Sequence, residues 1–157
     1  MNSQFNQHLP ILVVEDSDED FDVLKMTFEM KGIVNPILRA SEGGEAMRLM
    51  EDRRGRGVDL PGLIILDLNL IGIDGREVLK RLKRDPAFYR IPVVVLSTSS
   101  SPKDVDACYS AGAASYSVKP VSLERLEKFV DALKCFWLET VILPRRSELD
   151  RWRNANG

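Results

Sequence analysis

The chain has one histidine, His8, and only two cysteines, Cys108 and Cys135. A zinc or haem centre needs clustered nitrogen or sulfur ligands, and nucleophilic triads need a histidine near the nucleophile. His8 sits in the polar stretch Met1–His8 with no partner residues around it, so it reads as part of a surface arm. The cysteines fall in separate helical patterns without metal spacing and read as reduced core or interface residues. A basic excess is also missing: the formal net charge is −2, which argues against a dedicated nucleic-acid binder. No secretory h-region and no apolar run of membrane-spanning length occur, which points to a cytoplasmic chain with no membrane contact. Repeats and low-complexity tracts are absent too. What remains is an ordinary globular composition, 44% hydrophobic and 29% charged over 157 residues, enough for one buried core.

Apolar runs alternate with amphipathic stretches along this length. Leu9–Val14 is a short apolar strand ending in Glu15-Asp16. Ser17 or Asp16 can cap the helix that follows, Asp18, Glu19 and Asp20 suit its positive end, and Phe21, Leu24 and Phe28 mark its inner face. Ile33–Ala40 reads as a second strand. Ser41 then caps a helix with Ala46, Leu49 and Met50 inward, running into a basic loop, Arg53 to Gly57. That loop could suggest phosphate binding, but a solvated loop is the better reading. Leu63-Ile64-Ile65-Leu66 leads directly into Asp67, with Asn69 two residues on; a run this apolar fits a strand covered on both faces. A helix from Gly75 turns Val78, Leu79 and Leu82 inward and breaks at Asp85-Pro86. Ile91–Leu96 is a fourth strand, followed by the hydroxyl run Ser97 to Ser101; Ser101-Pro102 opens a helix faced by Val105, Cys108 and Tyr109. Ala114–Val118 is a fifth strand closing on Lys119-Pro120. Ser122 caps a long last helix with Leu123, Leu126, Val130, Leu133 and Trp137 in register, and Pro144 stops or kinks it.

Five strands alternating with five helices predict an α/β fold, a doubly wound five-stranded parallel sheet. Such a sheet brings all strand ends to one edge, so Glu15-Asp16, Asp67, Ser97 and Lys119 should converge there. Singly, each has a bland explanation: acidic residues after strands cap helices, and a lysine before proline is often a loop residue. Together they are chemically complementary. Three neighbouring carboxylates repel unless a cation joins them, and oxygen ligands favour Mg²⁺, or Mn²⁺, over zinc or copper. Beside a lysine and a hydroxyl, a carboxylate can then act as nucleophile toward a phosphoryl group.

In these residues the sequence resembles the receiver domain of two-component response regulators, from Pro10 to Leu138. The matching positions are Glu15-Asp16, Asp67 with Asn69 two later and Gly75 eight later, Ser97, and Lys119-Pro120. The resemblance implies a flavodoxin-like strand order, 2-1-3-4-5, and a phosphoryl group accepted by Asp67 from a histidine kinase. It implies that Glu15, Asp16, Asp67 and the Asn69 backbone carbonyl hold Mg²⁺, that Lys119 pairs with the phosphoryl oxygens, and that Ser97 follows them by hydrogen bonding. Tyr116 would turn inward as the switch, altering the surface of helix 4, strand 5 and helix 5. Two departures stand out. Ile71 occupies a position, four after the acceptor, where many receivers carry proline, which predicts a more mobile loop. Ser97 replaces a frequent threonine.

The chain is thereby expected to divide into an arm (1–8), a receiver domain with an extended last helix (9–143) and a basic tail (144–157), with no output domain. Cys135-Phe136-Trp137-Leu138 are four consecutive large or apolar residues, more than one helix face can bury on its own sheet. Phe129 extends a second stripe, so Phe129, Phe136, Trp137 and Leu138 are the expected interface unless the tail folds back over them. Phe136 to Pro144, and Asp59-Leu60-Pro61 in the long loop before strand three, also resemble stand-alone response regulators of cyanobacterial-type phytochrome kinases. This implies a homodimer and a phytochrome histidine kinase as phosphodonor. Two other readings stay open. One is an aspartate-nucleophile phosphatase, although such enzymes usually place a second aspartate where Asn69 stands. The other is a non-phosphorylated interaction module. In the leading reading the protein is no enzyme beyond its own phosphorylation and dephosphorylation.

Overall fold

In the computed structural model, residues 6–145 and 155–157 are described. Five strands, β1 (Ile11–Val14), β2 (Ile37–Ala40), β3 (Leu63–Leu66), β4 (Val93–Ser97) and β5 (Ser115–Val118), form one parallel sheet in the order β2-β1-β3-β4-β5. Five helices cover its faces: α1 (Asp18–Met30), α2 (Gly43–Arg56), α3 (Gly75–Arg84), α4 (Pro102–Ala111) and α5 (Leu123–Leu133). The expected architecture and strand order are both present.

The apolar strands β1, β3 and β4 are buried along their whole length because helices lie on both sides. One core packs Leu12, Ile64, Leu66, Val93 and Val95 with Met50 of α2, Leu79 and Leu82 of α3 and Phe88. The other packs Ile11, Val13, Ile65 and Val94 with Leu24 and Phe28 of α1 and Val130 and Leu133 of α5. In the register, Val14 lies beside Leu66 and Leu66 beside Val95. The polar residues that follow these strands therefore share one edge of the sheet.

Several boundaries differ from the expectation for identifiable reasons. Strand two begins at Ile37 rather than Ile33. Gly32, with φ 72°, ends α1 in a Schellman arrangement, in which Ile33 N–H donates to Phe28 O and Gly32 N–H to Glu29 O. Ile33 is thus the buried residue of a helix cap, not the start of a strand. The basic stretch Arg53 to Arg56 is the last turn of α2, not a loop, and Gly57 closes it with φ 67°. Its cations complement the helix dipole and make local bonds: Arg53 Nε donates to Asp59 O, and Arg54 Nη1 bonds Asp85 at 3.1 Å. Leu123 and Tyr109, expected on inner faces, are half exposed.

The largest difference lies at the end of the last helix. Beyond Leu133 the chain continues as a π-helix, Lys134–Thr140, which widens the turn and re-aims the apolar run. Leu138 swings into the second core, and Trp137 and Phe129 pack against it. Leu138 is only 5% exposed, so its assignment to a partner interface is corrected: it belongs to the chain's own core. Phe136 stays 51% exposed and meets Trp137 edge-on, ring centroids 4.8 Å apart. Of the expected arm, residues 1–5, and of the expected tail, residues 146–154, lie outside the described residues. His8 is exposed, but Asn6 is fully buried. Its Nδ2 donates to Trp137 O and Val141 O, and its Oδ1 accepts from Leu143 N–H, which ties the turn at Asn6 to the end of the π-helix.

Candidate functional site

Glu15 follows β1 directly and is held by the sheet, its backbone N–H donating to Ala40 O. Asp67 follows β3 in the same way, with its N–H on Val14 O. Both carboxylates are buried, whereas Asp16 is partly open. One carboxylate oxygen from each of Glu15, Asp16 and Asp67 lies within 4.8 Å of the others. Lys119 comes in from the end of β5, where its backbone N–H donates to Ser97 O at 2.7 Å. Its Nζ reaches Glu15 Oε1 at 2.9 Å and Asp67 Oδ2 at 3.1 Å. Of the residues expected to converge, Glu15, Asp16, Asp67 and Lys119 come together in the fold.

Electrostatics at this cluster are governed by desolvation. Burial, with the Asp67 charge alongside, pushes the Glu15 carboxyl up to about 8, and the Lys119 ammonium only partly offsets this. The Lys119 ammonium is held above its ordinary value by hydrogen bonding to Glu15 and the Asp67 and Glu15 charges, which outweigh its burial. Three clustered acids against one lysine leave excess negative charge in a poorly hydrated place. The donor set is all hard oxygen, which fits a divalent cation such as Mg²⁺ or Mn²⁺.

Asp20 was not expected at the site. Seen in sequence, it merely suits the positive end of α1; in the fold its Oδ2 accepts from Lys119 Nζ at 3.1 Å. It is 57% exposed in its side chain, so it marks the solvent side of the cluster. The acidic run after Glu15 was the available signal, but a helix start explains that run equally well. A cavity of about 230 Å³ opens beside Lys119, with apolar walls from Val23, Leu24, Leu123 and Leu126.

The loop from Asp67 to Gly75 is fixed from behind. Asn69 N–H donates to Asp67 Oδ1 at 3.3 Å, and Gly75 N–H donates to Leu68 O at 2.9 Å. Leu68 is buried, while Ile71 stands 67% exposed at the loop's tip. Two helix starts approach the loop so closely that only glycine fits. A Cβ on Gly75 would lie 2.2 Å from Asp67 O, and one on Gly43 would lie 2.1 Å from Ile73 O. A loop lacking the proline ring is thus braced by backbone contact.

Ser97, fully buried at the end of β4, accepts from Ser99 N–H at 3.2 Å. Tyr116 is half-buried, and its hydroxyl donates to Ser99 O at 2.8 Å. Ser97 and Tyr116 thus flank the same loop, one strand beyond Asp67.

Residues 11–131 match the response regulator receiver domain. Response regulator Rcp1 from Synechocystis is 39% identical over 145 residues, spanning 92% of this chain and 99% of that protein. Its Mn²⁺-bound crystal structure superposes with a TM-score of 0.78 at 40% identity, covering 87% of this chain and 99% of that one. The phosphorylated cyanobacterial phytochrome response regulator RcpA gives 0.77 at 36% identity, with 87% and 99% coverage. Sequence, sheet order and the acidic edge agree along one continuous span, and the chain belongs to the response regulator receiver family of two-component signalling proteins.

Proposed function

We propose that Asp67 of this receiver accepts a phosphoryl group from a histidine kinase, with a phytochrome as the kinase. The observation that carries the reading is Lys119 Nζ bonded at once to Asp67 and Glu15, with Asp16 completing the acidic cluster. Glu15, Asp16 and Asp67 would hold Mg²⁺, with the Asn69 backbone carbonyl as a further oxygen ligand. When bound, the cation supplies positive charge to the oxygens of the group in transfer.

The protein's own residues do the rest. An Asp67 carboxylate oxygen attacks phosphorus, the P–N bond of the kinase's phosphohistidine breaks, and the imidazole leaves with the electron pair. Lys119 exchanges its Asp67 contact for a phosphoryl oxygen. Ser97 then donates its hydroxyl to another oxygen, and Tyr116 moves into the space this vacates. The phosphohistidine is expected to enter from the α1 side, where Val23, Met26 and Met30 form an exposed apolar stripe next to Val121 and Leu123 at the cavity mouth. The added charge, about −1.5 to −2, is the signal.

The surface that reports it is the face of α4, β5 and α5, which pairs two copies of the chain. Val118 on β5 and Phe136, in the π-helix just past α5, are half exposed, and β5 is an edge strand of the sheet. Incubation with acetyl phosphate and Mg²⁺, followed by intact-mass measurement, should add one phosphate to the wild type and none to Asp67→Asn. An adduct that survives this substitution would refute the assignment.

A further inference from the structure

Arg39 lies on β2, outside the acidic cluster, yet it grips the turn that carries Glu15 and Asp16. In the register Val13 lies beside Arg39 and Val14 beside Ala40. Glu15 N–H continues the ladder onto Ala40 O at 3.0 Å. There β2 ends, so the strand no longer offers an N–H to the carbonyl of Glu15, a buried residue whose backbone oxygen still needs a donor. The Arg39 guanidinium takes that place, with Nε 3.3 Å and Nη2 3.2 Å from Glu15 O. A cationic fork on one carbonyl makes stronger bonds than a neutral donor would.

Two further contacts orient the fork. Nη2 also pairs with Asp18 Oδ1 at 2.6 Å, in the first turn of α1. The Phe21 ring, one turn along the same helix, lies with its centroid 4.7 Å from the guanidinium carbon. The Asp18 side chain is 84% exposed, so that pair adds little stability, but with Phe21 it joins β2 to the start of α1 across the turn.

The Glu15 carbonyl and the Asp16 N–H belong to one planar peptide. Holding the oxygen of that peptide fixes the plane from which the Asp16 side chain departs. Asp16 stands one residue past the ladder bond of Glu15 and is the partly open member of the three carboxylates. Its oxygen must nevertheless come within 4.8 Å of those from Glu15 and Asp67 for the cluster to form. We propose that Arg39 is a positioning residue for the divalent cation, holding the Glu15–Asp16 peptide so that Asp16 completes the set of oxygen ligands. This rests on the reading of Glu15, Asp16 and Asp67 as those ligands. Charge alone argues the other way, because a cationic side chain beside three acids repels a divalent ion and its loss should tighten binding. The sign of the effect therefore separates positioning from charge.

The test is Mn²⁺ binding to the full chain without any phosphodonor, by calorimetric titration of the wild type, Arg39→Met and Arg39→Lys. Methionine keeps an apolar stem over Phe21 and removes both fork and charge, whereas lysine keeps the charge and removes the fork. Both variants should bind Mn²⁺ about tenfold more weakly, the low end of the loss when a group that orients a metal ligand is removed. At saturating Mg²⁺ both should take up phosphate from acetyl phosphate at the wild-type rate, since Arg39 acts on the turn and not on the group in transfer. Affinity equal to or tighter than wild type in either variant overturns the positioning role and leaves the cation site standing. A slower reaction at saturating Mg²⁺ with a lower midpoint of urea unfolding also overturns it, by showing that Arg39 merely holds the fold. A wild type that binds no Mn²⁺ overturns the cation reading itself, and the role of Arg39 with it.

Discussion

Gly75→Ala puts one methyl group against the backbone of the acceptor. The added Cβ would lie 2.2 Å from Asp67 O, 2.6 Å from Leu68 Cα and 3.0 Å from Asp67 C. Carbon contacts are comfortable only near ~3.5–4.0 Å, so α3 or the acceptor loop must retreat by more than an ångström. None of these atoms is the free end of a side chain, so the strain cannot be relieved by rotation. Overpacking of this kind costs about 1–3 kcal/mol. Retreat also stretches the Gly75 N–H to Leu68 O bond, now 2.9 Å, worth roughly 1 kcal/mol. A loss of about 2–4 kcal/mol is expected, a large share of the ~5–15 kcal/mol that holds a typical domain together. The same shift displaces Asp67, so phosphorylation by acetyl phosphate should slow as well. Gly55→Ala is the matched control: it lies in α2 with nothing within 4 Å of the added Cβ. There the helix should gain up to about 0.5–1 kcal/mol. Urea unfolding followed by tryptophan fluorescence compares the two, provided the slope m is unchanged. A Gly75→Ala protein within about 0.5 kcal/mol of wild type would refute the claim that backbone contact braces the loop.

Four further outcomes are expected. Asn6→Ala leaves Trp137 O, Val141 O and Leu143 N–H without their partner, so stability should fall by about 2–4 kcal/mol; a change below about 0.5 kcal/mol in urea unfolding would count against the tie. Mg²⁺ or Mn²⁺ should raise the melting temperature of the wild type but not of Asp16→Asn, by the equivalent of about 2.7 kcal/mol at a hundred times Kd. Because the Glu15 carboxyl is pushed up to about 8, it keeps a proton below that pH, and proton and cation compete. Apparent cation affinity should therefore climb as pH rises toward 8 and then level; calorimetric titration showing the opposite slope would exclude Glu15 as a ligand. For the pairing face, light scattering should give a dimer for wild type and a shift toward monomer for Phe136→Ser; a wild-type monomer at micromolar concentration, phosphorylated or not, would remove that proposal.

Much of this was legible because parallel sheets translate sequence into position. Once Leu9–Val14, Leu63–Leu66 and Ala114–Val118 are strands, the residues after them must meet, and Glu15, Asp67 and Lys119 do meet. Residues whose roles depend on contacts far along the chain left no local trace. Asn6 looked like part of a polar arm, since its partners lie 131 and 135 positions away. Asp20 was already explained by the helix dipole, and nothing near it announced Lys119. The π-helix is invisible for a different reason. Lys134–Thr140 suits an α-helix as well by composition, and the widened turn follows from where Leu138 and Asn6 can be satisfied.

The Asn6 tie also bears on the order in which the molecule assembles. Its bond to Val141 O closes a ring of nearly the whole chain, and Asn35, between α1 and β2, is drawn in through its bond to Asn6 O. Contacts this remote in sequence are slow to form, because loop closure must come before any return. On a ribosome, Asn6 is made 131 and 135 positions ahead of Trp137 and Val141 and must wait for them. The turn around Asn6 and the π-helical segment should then dock last and open first. Amide hydrogens of Val141 and Leu143 would exchange well ahead of those in β1 and β3.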